Sequence, residues 1–379
     1  MKVLFIRSNP VSPDPRVEKE ADSLMKNGYE VSIVSWNREK NGKNKKGQLK
    51  LKNGKVDIEW IQIESGYGNG LKNIYPLLKF QIKLFIYLVR HTKEFDCVHA
   101  CDFDTVLPAN LIAKLLNKKI VYDIFDYYVD AFSVPRTLKP VVEKIDIQMM
   151  NSADAVIITN ESRKEQIKKS SPKNLLIIHN SPVHTAKTHD KHAEKTVSGR
   201  LSFAYFGIFS NGRLLEEILS VFENRKDIEL HIGGFGLLEP EVIKASENHE
   251  NIIYYGKVPY DRVIEVESSC DVLFATYDPE VPNHRFSSPN KLYEAMMLGK
   301  PIIVSKGTGL DHLIEEYELG RSIDYTREGF EQAVNEFSGM LPNIEQIYQH
   351  VTNVYQEMFS WDIMENRLVD IYHQLEKGR

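Results

Sequence analysis

"KVLFIRSNPVSPDPRVEKEADSLMKNGYEVSIVS", Lys2 to Ser35, reads as strand, helix, strand. Val3 to Ile6 are continuously apolar, which suits a strand buried on both faces. Asp14 is placed to cap a helix, Pro15 suits its first turn, and Gly28 falls just past its end. "YEVSIVS" then returns as the next strand. A parallel sheet covered by helices follows from this unit.

The cycle continues outward. "FDCVHA", a helix over "VLPANLIAKLLNK", "KIVYDIF", a helix containing "LKPVVEKIDIQMMNSA", "DAVIITN", "ESRKEQIKKS" and "NLLIIHN" extend the first sheet. The pattern fails over 183–200, a polar and aperiodic stretch that reads as a linker. Its His184, His189 and His192 lack a companion carboxylate or cysteine framework, so a solvated connection outweighs a metal site there. Alternation restarts at "LSFAYFG" and runs through "DIELHIGG", "NIIYYG", "DVLFATY" and "PIIVS". The expected architecture is α/β with two doubly wound parallel-sheet domains. The first spans 1–182, the second 201–361, and a terminal helix over 362–379 crosses back onto the first. A chain of 379 residues is long enough for both cores.

Composition narrows the classes. A net charge of −5 argues against a dedicated nucleic-acid binder. Three cysteines without zinc spacing suit a reducing cytosol better than a disulfide scaffold. Only four apolar residues precede Arg7, which reads as a first strand rather than a signal peptide. The basic run from Arg38 to Lys55 and the apolar segment beyond it leave two readings open. Ile74, Leu78, Ile82, Phe85 and Val89 share a helical face, which either packs on the sheet beside a solvated loop or lets the segment 38–91 rest on an anionic membrane surface.

Chemistry concentrates in the second half. "SSPNKLYEAMMLGKPIIVS" (Ser287–Ser305) predicts a helix capped by Ser288, with Pro289 first and Gly299 past its end. Such a helix start favours an anion, Lys291 adds a point charge, and Glu294 can accept from sugar hydroxyls. "YFGIFSNGR" places Gly207 at a strand end, where backbone can approach a ligand, and Arg213 beyond it, able to grip phosphate in a bidentate way. Two anion-favouring elements at one sheet edge suit a diphosphate. The alternative for Lys291 and Glu294 is a surface ion pair worth a few tenths of a kcal/mol. "IGGFG" (Ile232–Gly236) lacks the full dinucleotide fingerprint and reads as a turn.

Together "SPDPRVEKEADSLMKNGYEV", "VYDIFDYY", "IIHNSP", "FAYFG…GRLLEEI", "NIIYYGKVPYDRVIEVESSCDVLFATY" and "SPNKLYEAMMLGKPIIVS" resemble the retaining glycosyltransferases of family 4. That resemblance covers nearly the whole chain and implies the GT-B fold, two Rossmann-like domains facing across a cleft. It implies a nucleotide-diphosphate sugar as donor, a glycan or lipid-linked acceptor, retention of anomeric configuration, and no cofactor or metal. Arg213 matches the diphosphate-holding arginine and Gly207 the glycine ending the donor domain's first strand. Val258 falls in the loop whose backbone meets the base, Ser288 and Asn290 supply amides, and Glu294 matches the ribose-binding glutamate.

Departures accompany these matches. The first glutamate of the family's pair falls at Phe286, and the lysine expected shortly after Arg213 is missing, a role for which Lys291 is the substitute. A histidine often found after the "YD" strand is Phe125. Asp126 is then the polar residue assigned near the transferring sugar, with Asn9, Arg16 and Asp102 on the acceptor side; each has a capping or turn role as its alternative. A nucleotide-sugar 2-epimerase and a catalytically silent partner of another transferase share the fold and stay open. The expected location is the cytoplasm, peripheral at the inner membrane face.

Overall fold

In the computed structural model the chain forms two compact units, one of Met1–His179 with Met364–Arg379 and one of Asn180–Ile363. The structure describes residues 1–40, 44–66, 70–132, 134–183 and 199–378, so most of the stretch read as a linker, with its three histidines, lies outside the described residues.

The first unit runs β1 (Lys2–Arg7), α1 (Pro15–Lys26), β2 (Glu30–Asn37), β3 (Lys45–Lys50), β4 (Lys55–Gln62), α2 (Ile74–Arg90), β5 (Cys97–Cys101), α3 (Phe103–Leu115), β6 (Lys119–Ile124), α4 (Tyr128–Ala131), α5 (Lys139–Ser152), β7 (Ala155–Ile158), α6 (Arg163–Gln166) and β8 (Leu175–Ile177). Among the described residues its strands lie in the order β3-β4-β2-β1-β5-β6-β7-β8. All pairs are parallel except β3 with β4. Asp14 caps α1 as its spacing predicts, accepting from the Val17 amide at 3.4 Å. Leu4, Ile6, Val34, Val98, Ala100 and Ile120 belong to one buried cluster with Phe80, Val106 and Met150 of the covering helices.

Two expectations need correction here. The basic run over 38–55 is not a loop: its described part carries β3, an antiparallel edge strand ending in a tight return to β4. Lysines suit an edge strand, where they discourage pairing with another chain. The stripe Ile74, Leu78, Ile82, Phe85 and Val89 does not pack on the sheet; all five are exposed, and α2 buries Phe80, Leu84 and Leu88 instead.

The second unit runs β9 (Leu201–Phe209), α7 (Leu215–Glu223), β10 (Ile228–Gly236), α8 (Glu239–Asn248), β11 (Ile252–Tyr254), α9 (Tyr260–Ser269), β12 (Val272–Ala275), α10 (Asn290–Met297), β13 (Ile302–Ser305), α11 (Asp311–Glu316), β14 (Gly320–Ile323), α12 (Arg327–Met340) and α13 (Ile344–Val354). Its parallel sheet has the order β11-β10-β9-β12-β13-β14. The order reverses between β9 and β12, the place where such sheets open a crevice for ligands beyond their carboxyl ends. The last helix, α14 (Trp361–Lys377), starts in this unit and from Met364 onward belongs to the first.

The division falls a few residues from the predicted bounds for local reasons. The Asn180 amide donates to the Ser288 carbonyl at 2.7 Å, the Ser181 hydroxyl to the Phe359 carbonyl, and the Tyr355 hydroxyl to the Pro182 carbonyl at 2.9 Å. Within the first unit the returning helix is held by Glu365, which accepts from Ser23 and Lys26, and by Tyr372, whose hydroxyl meets His99 Nδ1 at 2.7 Å.

Beneath that helix lies a buried polar cluster. Arg16 grips Asp123 through two nitrogens at 3.0 and 2.9 Å, and Glu20 lies 3.2 Å from Arg16 and 3.4 Å from His99. Burial, then the neighbouring Asp123, pushes the Glu20 carboxyl up to about 8, against the pull of Arg16. Its ordinary value is 4.5, so between pH 4.5 and 8 the folded chain keeps a proton that the unfolded chain has released, and stability falls as pH rises through that window. Glu20→Gln removes the ionisation. We expect it to raise stability by on the order of 4 kcal/mol at pH 8.5 and by almost nothing at pH 4.5, as urea unfolding at the two pH values would show. A gain equal at both would assign the effect to packing.

Candidate functional site

In the second unit two loops meet at the sheet's switch point, one after β9 and one after β12. Tyr205 and Gly207 lie on β9, and Arg213 follows it, two residues before α7. The β12 loop carries Tyr277 as its second residue and ends at α10, whose second residue is Lys291.

Arg213 lays its guanidinium over the Tyr277 ring, 4.1 Å from the centroid. Its Nη1 is buried and has no hydrogen-bond partner. Lys291 places its amine 4.7 Å from the Tyr205 ring centroid. Both cations act on the Tyr205 phenol: burial raises its pKa, while Lys291 and then Arg213 oppose the rise. Burial lowers the pKa of Lys291, but Tyr277, Tyr205, Glu294 and Glu267 outweigh it and hold the amine above the ordinary lysine value. It is therefore charged at neutral pH.

Two cations beside a pair of phenols, one with an orphaned N–H group, form a place that can receive an anion. Gly207 completes it. A Cβ there would lie 2.5 Å from Lys291 Nζ, so only a glycine lets the amine rest against the strand.

The helix start supplies less than its sequence suggests. Pro289, not Ser288, stands at the cap position; α10 begins at Asn290, and no side chain caps it. The Ser288 hydroxyl instead lies 3.2 Å from that of Tyr293. An extended Ser-Pro pair keeps Ser288 out of reach of the first-turn amides. Asn290 and Lys291 still present unpaired helical amides, while the Leu292 N–H returns to the Pro289 carbonyl at 3.2 Å. The helix ends as predicted. Gly299, at φ +69°, donates to the Met296 carbonyl and Lys300 to that of Ala295, the two bonds of a left-handed stop.

Glu294 is buried on α10 and accepts from the Tyr260 hydroxyl. Beside it lies Glu267, 1 % exposed, with neither carboxyl oxygen hydrogen-bonded. Burial and then Glu294 raise the Glu267 pKa well above the carboxylate range, so Glu267 is a neutral acid next to Glu294. Val258, between β11 and α9, packs its side chain on the core that holds Tyr293 and Leu292.

The first-unit candidates occupy the matching edge of their own sheet. Asp102, just after β5, has a positive φ of 63°. Its carboxylate accepts from the Phe125 amide at 2.9 Å and the Asp126 amide at 3.3 Å, and it pairs with Arg7. Burial raises it to about 6 against the pull of Arg7. Asp126 is half exposed and pairs with Arg163 at 3.1 Å. Asn9 donates to Asp14 at 2.7 Å and accepts from Val11 at 2.8 Å, a turn role.

Arg16 departs furthest from its expected place. It is buried, with Asp123 and the Ile178 carbonyl taking its nitrogens, and offers an acceptor no surface. Phe125, where a histidine was expected, lies under two guanidinium groups, Arg7 at 4.0 Å and Arg16 at 5.0 Å. Among the described residues, His99, Cys101 and Asp123 bring ligand atoms within 4.8 Å. The Arg16 guanidinium already occupies Asp123, which sets a fixed positive charge where a metal would have to sit.

Arg213 and Lys291, named from the sequence, lie beside Tyr205 and Tyr277, which with Glu267 carry no sequence signal of their own. Tyr205 stands two residues before Gly207 in the strand, so alternation alone puts both on one face.

Comparisons with known proteins bear on the same region. Residues 204–338 match the family model described as glycosyl transferases group 1. No curated protein matches the chain by sequence. Among solved structures, sucrose-phosphate synthase from Thermosynechococcus elongatus superposes with a TM-score of 0.73 at 14% identity, covering 100% of both chains. The Anabaena protein Alr3699/HepE, solved in complex with UDP, gives 0.71 at 12% identity over 99% of this chain and 100% of that one. The lipopolysaccharide outer core galactosyltransferase WaaB gives 0.68 at 17% identity over 99% of each. Over residues 204–338 the chain is thus similar in sequence to group 1 glycosyl transferases, and its two units have the GT-B fold.

Proposed function

We propose that the chain transfers a sugar from a nucleotide-diphosphate sugar to a glycan or lipid-linked acceptor, with retention of anomeric configuration. The observation that carries this reading is the pair Arg213 and Lys291, converging on Tyr205 and Tyr277 with Arg213 Nη1 unpartnered. A diphosphate spans two such cations and takes up the free N–H. The group 1 match over this segment and the UDP held by the HepE structure support the same ligand.

Departure of a nucleoside diphosphate leaves negative charge on a phosphate oxygen and positive charge on the sugar. Fixed cations at the leaving group stabilise the first, and such preorganised charge is the largest catalytic contribution in many enzymes. Retention needs no protein nucleophile if the departing phosphate oxygen takes the acceptor's proton on the same face. Glu294 would accept from the ribose hydroxyls, the amides of Ser288 and Asn290 would meet the diphosphate, and the backbone at Val258 would meet the base. Asp126 is the first-unit residue proposed to serve the transferring sugar, with Asp102 and Asn9 as lesser acceptor-side groups. No metal or cofactor is required in this scheme. The partner proposed for the first unit is an anionic membrane surface, met within 38–91 at the inner membrane face.

A catalytically silent partner is the second reading, favoured by Phe286 and Phe125 standing where charged or polar groups were expected. A thermal-shift screen against UDP-, GDP- and ADP-sugars separates the two. One donor should raise the melting temperature, since a ligand at a hundred times its Kd adds about 2.7 kcal/mol. Incubation with that donor should then release free nucleotide slowly. Epimerised donor would establish the 2-epimerase instead, and no shift with any nucleotide sugar would reject the transferase.

A further inference from the structure

Helix α2 buries one apolar stripe, Phe80, Leu84 and Leu88, and leaves a second one exposed. We infer that its outward face is the element by which the first unit docks on an anionic lipid bilayer, the apolar residues entering the interface and one basic edge meeting the headgroups. This rests on the membrane partner proposed above and assigns it to one side of one helix.

At about 100° per residue, Ile74, Tyr75, Leu78, Ile82, Phe85, Ile86 and Val89 fall within an arc of about 120°. All seven are exposed, Ile82 at 62 % and Tyr75 at 73 %. The buried residues Phe80, Leu84 and Leu88 occupy a separate arc. A soluble domain gains nothing from seven large apolar side chains in water, and a contiguous patch of this kind marks a contact surface. The packing neighbour α3 adds exposed Leu111 and Leu115.

Charge decides between a membrane and another protein. Residues 74–90 contain no aspartate or glutamate. Their three basic residues, Lys79, Lys83 and Arg90, fall within an arc of about 40° that borders the apolar face. Among the described residues none of the three has a carboxylate partner; the Lys83 amine donates to the Gln62 carbonyl at 3.2 Å. Lys79 and Lys83, four apart, repel each other across one helical turn, a small destabilisation that anionic headgroups would reverse.

Elsewhere in the segment two lysines are already engaged. Lys46 pairs with Glu59 at 3.0 Å, and Lys40 lies 3.9 Å from Glu64. Lys45, Lys50, Lys52 and Lys55 add basic charge on and beside β3, but only on α2 does basic charge border an exposed apolar face. Among the described residues no helix is long and apolar enough to cross a bilayer, so this one would lie in the interface plane.

The test is co-sedimentation of the full chain with vesicles of equal phosphatidylglycerol and phosphatidylcholine, and of phosphatidylcholine alone. The parent chain should bind the anionic vesicles, more weakly in high salt, and Ile82→Trp should show a blue-shifted emission when they are added. Leu78→Glu with Ile82→Glu should weaken binding about tenfold, and Lys79→Glu with Lys83→Glu several-fold, with circular dichroism unchanged. If the parent chain binds and both variants bind equally well, the membrane partner stands and its assignment to α2 is wrong. If the parent chain ignores both vesicle types, the membrane partner itself fails. A dimer in solution that Ile82→Glu dissolves, without vesicle binding, would make this face a contact between copies and overturn the proposal.

Discussion

Arg213→Ala slows turnover of a nucleotide-diphosphate sugar about 100- to 1,000-fold while the chain stays folded, which is the range for loss of one preorganised charge at a leaving group. Among the described residues the guanidinium has no carboxylate partner. It rests on the Tyr277 ring at 4.1 Å with Nη1 buried and unpartnered, so its removal breaks no ion pair and leaves only a modest cation–π contact unmade. Melting temperature should fall by no more than a few degrees. Arg213→Lys separates charge from geometry: the ammonium keeps the charge but cannot fork onto two oxygens, so it should recover only part of the loss. Circular dichroism, thermal melting and initial rates with the donor identified by the thermal-shift screen check each point. Near-normal turnover in Arg213→Ala would remove the diphosphate from this place.

Local grammar was readable where each residue's role is set by its own backbone. Asp14, Pro15 and Gly299 start and stop helices by bonds to neighbours within five positions, and all three act as their spacing predicts. Ser288 fails for a reason of the same scale. The Pro that follows it holds it extended, and its hydroxyl turns to Tyr293 across the helix start. β3 was hidden because its lysines carry no alternation; its pairing with β4 is a tertiary fact.

For α2 the sequence held two apolar stripes, Ile74-Leu78-Ile82-Phe85-Val89 and Phe80-Leu84-Leu88, and periodicity cannot say which one faces the sheet. Arg213 and Lys291 were visible because cations after parallel strands have few structural uses. Tyr205 and Tyr277 were not, since an aromatic in a strand reads as core. Only the fold shows that both phenols lie under the two cations. Arg16 shows the converse: a basic residue in a helix's first turn, which the structure spends on the buried Asp123.

Lys291→Ala should weaken donor binding about tenfold to a hundredfold, the loss expected when a charge-assisted hydrogen bond worth about 1.5–3 kcal/mol is removed. Such a loss requires an amine free to serve a ligand. Among the described residues Lys291 has no ion pair; Glu294 is near enough to favour its charge, while Glu267 is held neutral by burial and by Glu294. Glu267→Gln should accordingly leave Lys291 charged and donor affinity within a few-fold of the parent.

Gly207→Ala tests the same contact without touching the lysine. Its new methyl would lie 2.5 Å from Nζ, the free end of a flexible side chain, so the amine swings away while the backbone stays. Melting temperature should hold and donor affinity should fall toward that of Lys291→Ala. The double variant should be little worse than either single one, because both changes remove one interaction. Isothermal titration with the donor reads all three. Full additivity in that cycle would show that Gly207 and Lys291 act on different parts of the ligand, and the amine would then have no place on the diphosphate.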